Sequence, residues 1–151
     1  MNSTDIHIIH PAQLPVTIDA IVEEQDTYLL LGKDTMIRET NESYVALVKK
    51  MEQQKPLIPG QVLVRKTNPV RFIAINYDIE NKPICCEEWI KTSLKNIYEE
   101  CCKQKILSLA MPLPGIKYGK FDHNAVMNIL KNIFLVEKTE FPEKIFILHE
   151  Q

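Results

Sequence analysis

Lys105-Ile-Leu-Ser-Leu-Ala-Met-Pro-Leu-Pro-Gly-Ile-Lys-Tyr-Gly-Lys-Phe121 runs directly into Asp122-His-Asn-Ala-Val-Met-Asn-Ile-Leu130. The apolar run from Ile106 to Met111, bounded by turn residues, reads as a buried strand. Ala125, Ile129, Leu130 and Ile133 recur at the spacing of an amphipathic helix. A Gly/Pro loop between a strand and a helix can present backbone N–H groups beside the helix N-terminus, where the partial positive charge favours an anion. The chain has 4 glycines, and Gly115 and Gly119 both lie in this loop. Glycine admits positive φ and lets a ligand come close. The same residues also suit an ordinary strand-to-helix connection, because turn composition carries no chemistry of its own.

Working outward, residues 5–10 and 16–22 read as two strands, and Met36, Ile37, Tyr44, Leu47, Val48 and Met51 predict a long helix over residues 33–54. Residues 61–65 and 70–76 read as two further strands joined by a turn at Asn68-Pro69. Residues 87–103 predict a helix with Trp89, Ile90, Leu94, Ile97 and Tyr98 on its apolar side, and residues 144–150 close the chain as a strand. Strands alternating with helices imply an α/β domain in which a mixed, largely parallel six-stranded sheet lies between helical layers. Ile73, Ile75, Leu107, Leu109 and Ile147 are the expected core. No linker, repeat or low-complexity segment divides residues 1–151, which read as one domain.

Composition narrows the function. A 45% apolar and 25% charged chain of 151 residues is that of an ordinary globular protein. A formal net charge of -2 argues against a nucleic-acid partner held by bulk positive potential. No apolar run reaches the length of a membrane span, and Met1-Asn-Ser-Thr-Asp5 lacks the pattern of a signal peptide, so a cytoplasmic location is expected. The four cysteines form the adjacent pairs Cys85-Cys86 and Cys101-Cys102, whose side chains diverge on a strand or helix; reduced thiols are expected, and no metal. No Walker, H-E-x-x-H, G-x-G-x-x-G or G-x-S-x-G pattern is present, and Ser108 reads as a satisfied core hydroxyl.

The element order and local patterns together resemble the macro domain family, whose members commonly bind ADP-ribose. Ile18-Asp-Ala-Ile-Val22 is similar to that family's second strand, and Pro112 through Gly119 to its phosphate-binding loop. The resemblance implies a three-layer α/β/α fold and a diphosphate held by Gly115, Ile116, Tyr118 and Gly119, with Gly32 closing the pocket from the opposite loop. Asp26 takes the place of an asparagine that contacts the distal ribose, and His149 that of an aromatic residue that stacks on adenine. Ala12 or Gln13 falls where an aspartate often recognises adenine.

The chain departs from the family after the second strand. Where Asn-Ala-Ala-Asn and a glycine-rich run are usual, it has Glu23-Glu-Gln-Asp26 and then Leu29-Leu-Leu-Gly-Lys33. Glu23, Glu24 and Asp26 read as a solvated acidic loop that would repel a diphosphate if it faced inward. Asp26 is the one candidate general base, yet a carboxylate cannot donate a hydrogen bond as an amide does. The expected function is binding of ADP-ribose or a related nucleotide without hydrolysis and without a cofactor. The alternatives are a degenerate macro-like module that binds a protein, ADP-ribosylated or not, and a divergent hydrolase of ADP-ribosyl or O-acyl-ADP-ribose esters.

Overall fold

The computed structural model describes residues 4–30, 55–80, 82–136 and 140–149. The helix expected over residues 33–54, together with Gly32, lies outside the described residues. The described strands are β1 (Asp5–Ile9), β2 (Ala20–Asp26), β3 (Val62–Arg65), β4 (Val70–Tyr77), β5 (Ser108–Pro112) and β6 (Lys144–Leu148). The helices are α1 (Glu87–Gln104) and α2 (His123–Phe134), and a single 3-10 turn spans Pro11–Gln13. The strands form one sheet in the order β1-β6-β5-β2-β4-β3. Every neighbouring pair is parallel except the β3–β4 hairpin.

Parallel neighbours need crossovers, and α2 supplies the one between β5 and β6, while α1 carries the chain from β4 past β2 to β5. Ile90, Leu94 and Ile97 of α1 and Leu130 and Phe134 of α2 enter one core with Val22, Phe72, Leu109, Met111 and Ile145, so both helices cover the same sheet face. β4 is buried along Phe72, Ile73, Ala74 and Ile75, as a strand covered on both faces must be. The apolar stripe of α2 is Val126, Leu130 and Phe134, at i, i+4 and i+8, whereas Ala125 faces solvent. Asp122 caps this helix, its Oδ2 accepting the Ala125 N–H at 3.0 Å.

Two expectations about β5 are corrected. Leu107 is 47% exposed rather than in the core, because the strand begins only at Ser108. The Leu107 backbone still joins the sheet's end, donating to Asp19 Oδ2 at 2.8 Å and accepting from Glu143 and Lys144. Ser108 is half-buried, and its hydroxyl is satisfied at the same junction: it accepts from the Asp19 N–H at 3.0 Å and donates to Thr17 O. Asp19 thereby ties the start of β2 to β5, while its carbonyl accepts from Val70 at the start of β4.

All four cysteines are free thiols, and burial pushes the Cys85 thiol pKa up to about 12. Cys101, more deeply buried, is also raised, chiefly by desolvation. Thiolate is the reactive form, so native Cys85 is expected to react with iodoacetamide at pH 8 at least about 100-fold more slowly than in the urea-unfolded chain, read by peptide mass spectrometry. A core test is Leu109→Ala, at a fully buried position of β5. It is expected to lower unfolding stability by about 2–5 kcal/mol in urea titration.

Candidate functional site

In an open α/β sheet, ligand sites form beyond the carboxyl ends of the strands. Here β2, β4 and β5 end together, and β2 does not stop at Val22: it continues through Glu23-Glu-Gln-Asp26, the run expected to be a solvated loop. The reason lies in strand alternation, which sends successive side chains to opposite faces and gives each acid a different environment. Glu23 takes a bidentate ion pair with Arg71 on β4, with Nε at 2.9 Å from Oε1 and Nη2 at 2.6 Å from Oε2. Glu24 points the other way, into the site.

The Glu24 side chain receives three donors on one oxygen, Oε2. They are Asn76 Nδ2 at 2.8 Å, the Tyr77 hydroxyl at 3.0 Å and the Gly115 backbone N–H at 2.9 Å. Burial raises the Glu24 pKa above its ordinary 4.5, while the three donors and the nearby charge of Lys117 oppose that rise without cancelling it. The same carboxylate contributes to raising the Tyr77 hydroxyl, after desolvation, and to raising Cys85. Asn76 is fully buried, and its Oδ1 has no hydrogen-bond partner.

The loop after β5 is folded over this carboxylate. Gly115 has φ +79°, and its carbonyl accepts the Phe121 N–H at 3.1 Å, closing the loop. A Cβ on Gly115 would lie 2.5 Å from Ile90 Cδ1, and at φ +79° a side chain is strained whatever the space, so the turn and the packing on α1 both favour glycine here. A Cβ on Gly119 would lie 2.6 Å from the Gly115 carbonyl oxygen, again a contact within the loop. Ile116 is half-buried; Tyr118 is exposed, with its ring edge-on to Tyr77 at 5.3 Å and its backbone bonded to the Tyr77 hydroxyl. The Lys117 ammonium sits 5.4 Å from the Tyr118 ring centre.

The other sequence candidates have partners of their own, although Asp26 pairs with Tyr77 across β2 and β4. Asp26 is fully buried, and its carboxylate folds the turn that follows β2: Oδ2 accepts from Tyr28 N at 2.9 Å and Oδ1 from Leu30 N at 2.6 Å. His149, just past β6, is half-buried; its N–H donates to Ile9 O, and its ring meets His123 edge-on at 5.7 Å. The Gln13 side chain accepts from the His10 N–H in a capping box. Among the described residues no group of three His, Cys, Asp or Glu could hold a metal, and no helix is long and apolar enough to cross a membrane.

Sequence reading missed Glu24, Asn76, Tyr77 and Lys117 as site residues. The available signal was Asn76-Tyr77, two polar-headed residues that follow the apolar run Phe72-Ile-Ala-Ile75 at the carboxyl end of β4.

The sheet order, the helices on its face and the loop after β5 define a macrodomain fold, as the sequence resemblance implied. No protein-family model matches the chain, and no curated protein matches it. Solved structures do: the macrodomain of Thermus aquaticus DarG aligns over 98% of this chain and 100% of its own, with a TM-score of 0.70 and 18% identity. The macrodomain of Mycobacterium tuberculosis DarG aligns over 98% and 100%, with a TM-score of 0.72 and 14% identity. The Oceanobacillus iheyensis macrodomain solved with ADP covers 95% of this chain and 83% of its own, at a TM-score of 0.66 and 16% identity. Identities this low establish the fold and leave the ligand to the site.

The raised Glu24 pKa has a stability consequence with a definite sign. The folded chain holds this proton more tightly than the unfolded chain, so stability contributed below pH 4.5 is lost as pH rises from 4.5 through the raised folded value. In urea titrations across that window, wild type is expected to lose stability relative to Glu24→Gln, with the difference levelling off at higher pH. A difference that stays flat or runs the other way would show that the folded carboxylate is not destabilised by burial.

Proposed function

We propose that this chain binds ADP-ribose or a related nucleotide diphosphate at the carboxyl ends of β2, β4 and β5, without hydrolysing it, and that residues 1–151 act as one domain. The observation that carries the reading is the positive-φ loop at Gly115, placed at the carboxyl end of the central strand β5. The solved examples of this fold include the Oceanobacillus iheyensis macrodomain with ADP and a mutant of it with ADPR. Lys117 adds a cation beside this loop, and among the described residues no protein acceptor takes the N–H of Lys117 or Gly119. The reading without hydrolysis is supported by the acids. General-base work needs a carboxylate within reach of a reacting water, whereas both Asp26 oxygens accept from the backbone of their own turn.

One observation favours a second reading as a protein-interaction module: Glu24 already fills the Gly115 N–H from inside the chain. Ligand titration separates the two. If ADP-ribose binds only the native state, ligand at about 100 times its dissociation constant is expected to stabilise the fold by about 2.7 kcal/mol. Calorimetry and thermal shift are expected to agree on that figure, and incubation with ADP-ribosylated protein is expected to release no ADP-ribose. Silence from both binding methods at millimolar ADP-ribose and ADP would leave the interaction module. Turnover lost in a folded Asp26→Ala variant would establish a hydrolase.

A further inference from the structure

Three donors from two separate parts of the chain converge on a single carboxylate oxygen: Asn76 Nδ2 and the Tyr77 hydroxyl from β4, and the Gly115 N–H from the loop. Such convergence is the construction of an anion receptor, since charge-assisted bonds to one oxygen are the strong ones. The oxygen it holds belongs to the chain itself. A backbone N–H is one donor, and an acceptor must lie within about 3.2 Å of its nitrogen to bond it. A phosphate oxygen bonded to Gly115 N would therefore overlap or crowd Glu24 Oε2, which lies there at 2.9 Å, and both groups are negatively charged.

We propose that Asn76 Nδ2, the Tyr77 hydroxyl and the Gly115 N–H form a three-donor receptor for a ligand phosphate oxygen, which Glu24 fills in the free chain and a ligand takes by displacing it. The proposal rests on the nucleotide-binding reading above and assigns a plug to that same site. A second observation at the site is Asn76 Oδ1, fully buried and without a partner while Glu24 takes the amide's other end. The bonds Glu24 makes satisfy the receptor's donors and leave this acceptor unmatched; a phosphate oxygen, which only accepts, would not fill it, whereas a hydroxyl of the same ligand would donate to it. Tyr77 from β4, Cys85 from the segment before α1 and Lys117 from the loop are the titratable groups that face Glu24 among the described residues. Lys117 alone of these carries a charge opposite to that of the carboxylate, and it stands to hold either occupant.

The test compares wild type, Glu24→Gln and Glu24→Ala by calorimetry with ADP-ribose and with inorganic pyrophosphate, and follows the Gly115 amide by 1H–15N NMR. Gln keeps an oxygen for the three donors while removing the charge, which guards against a fold lost in the Ala variant; circular dichroism checks both. Removing the charge is expected to tighten ADP-ribose binding about tenfold or more, equivalent to about 1.4 kcal/mol. The Gly115 amide is expected to shift in Glu24→Ala without ligand, and again in every protein when ligand is added. Equal or weaker binding by the folded variants would overturn the plug and leave nucleotide binding standing. Pyrophosphate binding that appears in the variants, with ADP-ribose bound by none, would support the plug and sink the nucleotide reading. Binding of neither probe by any of the three would overturn both.

Discussion

The carboxylate of Glu24 ties the loop after β5, which supplies Gly115, to the paired strands β2, which carries it, and β4, which supplies Asn76 and Tyr77. A carboxylate held away from water is costly unless its lone pairs are taken up. Here all three donors are spent on one oxygen, and the raised pKa says that they offset the cost only in part. The site thus carries a residual strain in its charge balance, localised where the strands end.

That balance depends on the period of β2. Had the strand stopped at Val22, Glu23 and Glu24 would share one solvated loop and neither would meet a buried partner. Because the strand runs on to Asp26, pleating sends Glu23 to the Arg71 guanidinium and Glu24 to the opposite face. The bulge after Gln25, where Asp26 pairs with Tyr77, then turns the chain, and Asp26 accepts from the two backbone N–H groups that follow. Three neighbouring acids take three structural roles, and none of them is a free surface charge.

The glycines carry a related lesson. Gly115 and Gly119 occupy the loop that a diphosphate would approach, yet the space a side chain would need is filled by Ile90, Phe121 and the loop's own carbonyl. Their smallness serves the packing of the loop on α1 and on itself, and the contact with an anion is made by the Gly115 N–H that this packing aims. Substituting Gly115 therefore probes the fold before it probes a ligand.

Much of the architecture was legible in the sequence because helix and strand periods are local. β4, β5, β6, α1 and α2 were found within a few residues, and so was the strand–loop–helix unit around Gly115. The errors have one origin. Leu107 is apolar but precedes its strand, and Glu23-Glu-Gln-Asp26 is polar but continues one; composition alone cannot say where hydrogen-bonded pairing begins or ends. The sequence by itself determined the alternation of elements, the sheet they imply and the position of the loop at a strand's end. Only the tertiary structure decided what the loop holds, because the donors that receive Glu24 lie 52, 53 and 91 residues away along the chain. A buried charge is tolerated only where such distant groups converge on it, and no local pattern records that convergence.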